Sequence, residues 1–401
     1  MKRVTVPAEA IHLHPGAKRL SSILLVVGIA GLVLAALLSR TGTDGGPRFF
    51  RAYLLNFLYF LSLTLGALFF VLISHLTRAG WNVTLRRVAE AATFAFVPLA
   101  LLALVLVPGL HSLYEWTHHE EVAKDVVLSG KGAYLNVPFF LARLAFYFLA
   151  WNVIAHYFRR RSVEQDATGR PEITVRMELR SAPAMIVFAL TLTFAAFDLI
   201  MSLYPHWYST IFGVYYFAGS VLGFFALLPV LVALLQRRGL LRRVVTPEHF
   251  HDLGKLMFAF IVFWAYIGFS QYMLIWYGNM PEETIFFLIR QTGPWAAFSW
   301  VLVFGHFFVP FFALMSRHPK RRIPTLMAAA VWILVMHWLD LYWLVMPHAS
   351  PQAIDFRPVD LACFVGIGGI FFAALVWRLG KHDLIPVRDP RLAEAVAFEN
   401  A

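Results

Sequence analysis

Ten runs of predominantly apolar residues follow one another along this chain: 20–39, 50–76, 88–109, 135–158, 183–204, 211–236, 255–278, 294–316, 324–346 and 359–379. A helix needs about 20 such residues to cross the hydrocarbon layer of a bilayer. Open sheet edges cannot be satisfied in lipid, which excludes long strands. The pattern therefore predicts an all-α polytopic membrane protein with about ten transmembrane helices. Composition agrees, since 60% of the 401 residues are hydrophobic, 14% are charged, and the mean hydropathy is +0.68. A soluble domain averages about 25% charged residues. The apolar segment 284–292 lies ahead of Pro294 and reads either as a short interfacial helix or as an extension of the eighth span.

The charges orient these spans. Outside them, or within two residues of their ends, the two terminal regions and the even-numbered loops hold 26 Lys and Arg, against six in the odd-numbered loops. The positive-inside rule then places both termini and the even loops in the cytoplasm. The net charge of +11 is mostly this topology signal. No segment builds the basic soluble face that nucleic-acid binding requires, so the expected environment is the lipid bilayer. Cys363 is the only cysteine, which excludes a disulfide framework and a cysteine-ligated iron–sulfur cluster or structural zinc built by this chain alone. The N-terminal 18 residues are polar, and the first apolar run lacks a cleavage pattern, so it reads as a retained helix.

One pattern occurs twice. Asp198-Leu199 is followed by five residues and Pro205-His206, and Asp340-Leu341 by five residues and Pro347-His348. Each aspartate lies about 10 Å from the outer end of its span, at 1.5 Å per residue. Ionisable groups in hydrocarbon are costly and mark ion or proton routes or buried pairs. His337 shares a helix face with Asp340, and Ser202 shares one with Asp198. Arg143 falls at similar depth in the fourth span and needs a counter-ion, for which Asp198 is the first candidate. These residues form the expected outer proton path. The seventh span offers an inner one, with His251, Asp252 and Lys255 at its mouth and Tyr266 and Gln271 further along; Glu90 opens the third span. The competing reading of both sets is structural: ion pairs that fix helix register and charges that anchor the interface.

Other clusters carry less. His306 precedes Pro310 by four residues, so the helix should kink there. A b-type haem needs two histidines on facing spans at one depth. Only His306 and His337 lie mid-span, and counting from the span ends sets them at different heights, so haem is not expected. The outer loop 110–134 holds His111, Glu115, His118, His119, Glu120 and Glu121, but at no standard metal spacing. It reads as a solvated or partner-facing loop, and no metal site is expected.

The stretch His251-Asp252-Leu253-Gly254-Lys255-Leu256-Met257-Phe258, continuing through Trp264-Ala265-Tyr266-Ile267, Phe269-Ser270-Gln271-Tyr272 and Ile275-Trp276-Tyr277-Gly278-Asn279, resembles the F subunit of bacterial alternative complex III. Pro281-Glu282-Glu283, Pro205-His206-Trp207-Tyr208-Ser209-Thr210 and His337-Trp338-Leu339-Asp340 resemble it too, and the likeness covers nearly all ten spans. The broader family contains the membrane subunits of polysulfide and nitrite reductases. The resemblance implies two four-helix bundles, here 50–205 and 211–347, with 20–39 and 359–379 as peripheral helices. It implies a subunit of a quinol:cytochrome c or quinol:copper-protein oxidoreductase, without redox cofactors of its own. Its partners would be multihaem cytochrome c, iron–sulfur and sister membrane subunits. A menaquinol or other quinol is the implied ligand, with His206 and His306 marking the expected region. Two other readings remain open: a secondary transporter, which also uses repeats and buried charges, and a structural anchor.

Overall fold

The computed structural model describes residues 11–13, 16–41 and 45–400. Residues Lys2 and Arg3, counted above for orientation, lie outside it. Among the described residues the chain is 81% helical and without strands. Ten helices are long and apolar enough to cross a membrane: span 1 Gly16–Arg40, span 2 Gly46–Leu76, span 3 Val83–Leu113, span 4 Val137–Thr168, span 5 Glu172–Leu203, span 6 Phe212–Arg237, span 7 Pro247–Gly278, span 8 Gly293–Met315, span 9 Ile323–Val345 and span 10 Pro358–Leu379. This is an integral, multi-pass, all-α membrane protein.

Several helices outrun the apolar segments that announce them. The polar stretch 159–182 reads from sequence as a loop, but it is helical on both sides of a turn at Gly169. That glycine takes φ +67°, a left-handed C-cap whose N–H bonds to the Gln165 carbonyl. Hydropathy marks only the part of a helix inside hydrocarbon. The polar extension beyond it is held by ion pairs and solvent. Span 4, at 32 residues, runs about 48 Å against a hydrocarbon layer of about 30 Å. The segment 284–292 belongs to a separate helix, Pro281–Gln291.

Spans 2 and 6 are the centre. Both are apolar around their whole circumference and are 89% and 83% buried, respectively. They cross closely at Gly66, where an added Cβ would stand 2.3 Å from the Ser220 carbonyl oxygen. Span 2 packs against spans 3 and 5, with span 4 closing that group against spans 3 and 5; span 6 packs against spans 7 and 9, with span 8 closing that group against spans 7 and 9; and the two groups meet along spans 2, 5, 6 and 9. Span 1 packs on span 10 through glycines: a Cβ on Gly28 would meet the Gly366 carbonyl oxygen at 2.8 Å. Small residues let backbones approach where no hydrophobic force drives helices together in lipid.

Candidate functional site

Each copy of the duplicated pattern builds a buried carboxylate site near the face of the odd-numbered loops, and the two sites differ in charge. Asp198 is 1% exposed and accepts two parallel bonds from Arg143, Nε to Oδ2 at 2.9 Å and Nη2 to Oδ1 at 2.8 Å. The Tyr147 hydroxyl, one turn along from Arg143, donates to the same Oδ2 at 2.7 Å. Arg143 also donates to the Tyr134 carbonyl at 2.9 Å and stacks on the Tyr134 ring. This is a bidentate pair whose carboxylate accepts three hydrogen bonds, a strong form of carboxylate recognition. Ser202 donates to the Asp198 backbone carbonyl and does not reach the carboxylate.

Asp340, 2% exposed, has a different shell. The Tyr215 hydroxyl donates to Oδ1 at 2.5 Å and Trp264 Nε1 to Oδ2 at 3.2 Å. No cation pairs with it among the described residues. His337, one turn earlier, does not bond to it. The His337 ring lies on the glycine face of span 6, where a Cβ on Gly219 or Gly223 would stand 3.0 Å from it. Its Nε2 shares a 2.8 Å hydrogen bond with Ser62 Oγ, and its Nδ1 has no hydrogen-bond partner among the described residues.

His306 joins this cluster, which corrects the sequence expectation. Its ring centroid is 6.5 Å from that of His337 and 4.1 Å from that of Trp264. Depth counted from helix ends fails because the helices do not end at one level. Span 8 starts farther out than span 9 stops, as the Trp295 Nε1 bond to the Ser350 carbonyl at 2.9 Å shows. The kink expected at His306 takes the form of a π turn over Val303–Phe308. Pro310 cannot donate, and the widened turn leaves the Gly305 carbonyl to accept from Trp332 Nε1 at 2.7 Å. Neither His306 ring nitrogen has a hydrogen-bond partner among the described residues.

The remaining predicted residues disperse. His206 lies exposed at the odd-loop face, its Nε2 2.6 Å from Asp125, so it does not share a region with buried His306. An apolar cleft of about 460 Å³ lies between spans 2, 9 and 10, lined by Tyr59, Trp338, Phe364 and Asp360. Tyr266 is 62% exposed and faces outward from span 7, so it leaves the expected inner ladder. Gln271 is buried seven residues from the odd-loop end of that span. Asp252 and Lys255 form an ion pair, and Lys255 also reaches Asn400 at 2.8 Å. His251 is buried beside them. Met257 and Ile261 fill the span between this group and Trp264.

Glu90 is enclosed by three arginines, with Arg86 at 3.5 Å, Arg87 at 3.3 Å and Arg159 at 3.4 Å. Arg86 continues to Asp389 at 2.5 Å, and Arg87 to Asp166 at 2.8 Å. The C-terminal segment is thus tied under spans 3 and 4.

Three features were not foreseen. Tyr147 lies four residues after Arg143 and so was legible on its helix face. Tyr215, Trp264 and Ser62 come from other spans and left no such signal. Arg290, fully buried on the helix Pro281–Gln291, donates to the carbonyls of Phe286, Trp343 and Leu344 and to the Tyr204 hydroxyl, and has no carboxylate partner among the described residues.

The two Pro-His ends converge on one loop. His348 Nε2 lies 2.9 Å from Glu115, as His206 does near Asp125. The hydrogen bond from His348 holds the Glu115 carboxyl below its ordinary range, and His206 does the same for Asp125. In the same loop the ring centroids of His111 and His118 lie 3.9 Å apart, the rings tilted by 34°. Among the described residues no three His, Cys, Asp or Glu side chains are arranged to hold a metal ion. No family model matches the chain, and comparison with curated proteins finds no match either.

Proposed function

We propose that this chain is a proton-handling membrane subunit of a respiratory quinol-oxidising assembly of the alternative complex III kind. The observation that carries the reading is the contrast between the two aspartates. Asp198 is locked to Arg143, and moving a proton there would break a buried ion pair. Asp340 is held by a tyrosine and an indole only, so its charge can change without that loss. Beside it, His337 and His306 offer three ring nitrogens without hydrogen-bond partners in the protein. A buried polar atom left unpaired needs a role or a water. In this reading Asp340 takes or gives a proton at Oδ2, and the histidines pass it toward the middle of the bilayer. Tyr215 orients the carboxyl.

A quinol, when bound, supplies two electrons and two protons. The cleft lined by Tyr59 and Trp338 suits such a ring, being apolar, aromatic and open toward lipid. The Tyr59 ring is 5.5 Å from the His337 ring, so the cleft borders the cluster. The electron carriers belong to partners: multihaem cytochrome c, iron–sulfur and sister membrane subunits. The charge distribution favours both termini in the cytoplasm, and an assembly of this kind would sit in a bacterial inner membrane.

The test has two parts. Mild detergent purification followed by mass spectrometry should recover cytochrome and iron–sulfur proteins with this chain. In that assembly, Asp340→Asn should abolish proton-linked activity while insertion is retained. Full activity in that variant removes the proton role. The π turn in span 8 and the 3₁₀ turns at Thr93–Ala95 and Leu104–Gly109 in span 3 favour a second reading, a secondary transporter. Substrate uptake by the isolated chain in vesicles would establish that reading instead. If neither activity responds to the aspartates, the chain is a structural anchor.

A further inference from the structure

At the even-loop face, spans 3 and 4 and the end of span 10 enclose an open groove of about 660 Å³. Its two ends differ in chemistry. One end carries Arg159, Arg160, Arg161 and Arg378 with His156 and Asn152. Arg159 is paired with Glu90 and Arg161 with Glu164. Arg160 and Arg378 have no ion-pair partner among the described residues. The Arg378 guanidinium rests 5.1 Å from the Phe94 ring, which is itself stacked on Trp377. The other end is apolar, with Val97 44% and Val153 58% exposed.

Depth decides what such a groove meets. Arg159–Arg161 lie about 33 Å along span 4 from Val137, at the edge of a hydrocarbon layer of about 30 Å. From the groove two exposed apolar ridges run toward the opposite face: Val97, Leu101 and Leu104 on span 3, and Val153, Leu149 and Phe146 on span 4. The 97/101/104 and 146/149/153 spacings keep each ridge on one helix face. Cations at the headgroup level above a lipid-facing channel match an amphipathic anion.

We propose that this groove binds an anionic phospholipid, its phosphate between Arg160 and Arg378 and its acyl chains along the two ridges. Basic pockets between membrane helices recognise such headgroups. A soluble phosphate would use the arginines but not the ridges. The bound lipid would bridge spans 3, 4 and 10 above the buried Glu90 cluster.

The experiment uses the full chain, delipidated in detergent and titrated with phosphatidylglycerol, with phosphatidylcholine of the same acyl composition, and with glycerol phosphate, read by native mass spectrometry. Phosphatidylglycerol should be retained at least about 25-fold better than phosphatidylcholine, and glycerol phosphate should not compete. One arginine at an anionic headgroup is worth about 1 kcal/mol, or about fivefold in affinity, so Arg160→Gln with Arg378→Gln should reduce the preference about 25-fold. Val153→Trp, which fills the apolar end from an exposed position, should lower retention of both lipids. Arg237→Gln with Arg238→Gln, basic residues on span 6, should change nothing. If the Arg378 variant does not fold, exposed Arg160→Gln alone should still show the fivefold loss. Equal retention of the two phospholipids, an equal loss in the span 6 control, or displacement by glycerol phosphate would overturn the proposal.

Discussion

The two aspartates should respond very differently to the same isosteric change. Asp198→Asn leaves the Arg143 guanidinium buried with no charge to answer it. Its bond to the Tyr134 carbonyl and its ring contacts remain, but breaking a buried pair from one side costs about 3–5 kcal/mol. Asp340→Asn removes no partner from a cation. The amide oxygen still accepts from Tyr215, and the amide nitrogen turns toward Trp264 Nε1, losing one hydrogen bond that is already long at 3.2 Å. Such a loss costs about 0.5–1.5 kcal/mol. The predicted gap between the variants is therefore about 2–4 kcal/mol. Denaturant unfolding in detergent micelles, followed by tryptophan fluorescence, measures it. Arg143→Met combined with Asp198→Leu should recover most of the loss, because an apolar pair leaves no orphaned charge. Variants that unfold within about 1 kcal/mol of each other would refute the reasoning, since Asp340 would then have to hold an ion pair as Asp198 does. The functional prediction runs the other way. The aspartate that contributes less to the fold is the one whose loss should stop proton-linked turnover.

Three further outcomes follow from the geometry. Arg290→Lys keeps the charge but cannot fork to three carbonyls and a hydroxyl; we expect a loss of about 2–4 kcal/mol in the same unfolding assay, and a neutral result would deny Arg290 its role as a latch between the halves. The Glu115 and Asp125 carboxyls sit below their ordinary range because His348 and His206 bond to them. Their contribution is thus full above the ordinary carboxylate range and is lost as pH falls through the lowered values, so protection from amide exchange over 110–134, taken relative to the intrinsic rate at each pH, should fall below about pH 4 and, in the His206→Ala and His348→Ala variants, already be low near neutrality. Gly66→Ala sets a methyl 2.3 Å from the Ser220 carbonyl at the crossing of spans 2 and 6 and should cost about 1–3 kcal/mol; an unchanged melting temperature would mean that the crossing relaxes freely.

The spans were legible because length and apolarity are local properties, and the Arg143–Asp198 pair was legible because two opposite charges at one depth in lipid have few other partners. The polar stretch 159–182 misled because a hydropathy window ends where hydrocarbon ends, while the helices of spans 4 and 5 continue on ion pairs to Gly169. His306 was set at the wrong height because counting assumes that helices start level. The Trp343 Nε1 bond to Ser299 Oγ at 2.8 Å fixes the true register of spans 8 and 9, seven residues from His306 and six from His337. No local pattern contains that register. The inner ladder failed for a related reason: polar residues on one helix form a path only if they share a face, and Tyr266 points away from the buried side that holds Gln271.

The duplication itself shows where sequence symmetry stops. Both aspartates keep the same spacing to Pro-His and comparable burial, so the repeat preserves the backbone frame. It does not preserve what fills the frame. Asp198 takes its tyrosine from the span just before its own, Tyr147 on span 4; Asp340 takes Tyr215 from span 6, three spans before. The first shell contains a guanidinium and the second an indole, so one half binds a charge and the other leaves it open. The Pro-His ends diverge from the symmetry too, because both histidines reach the same loop, 110–134, whereas the corresponding place between spans 7 and 8 is filled by the helix that carries Arg290. A proton-handling site needs one position able to change charge within a frame that does not move. In the reading proposed above, two copies of one aspartate would meet that need: each keeps a tyrosine donor, but Arg143 fixes the first, while no cation among the described residues pairs with the second.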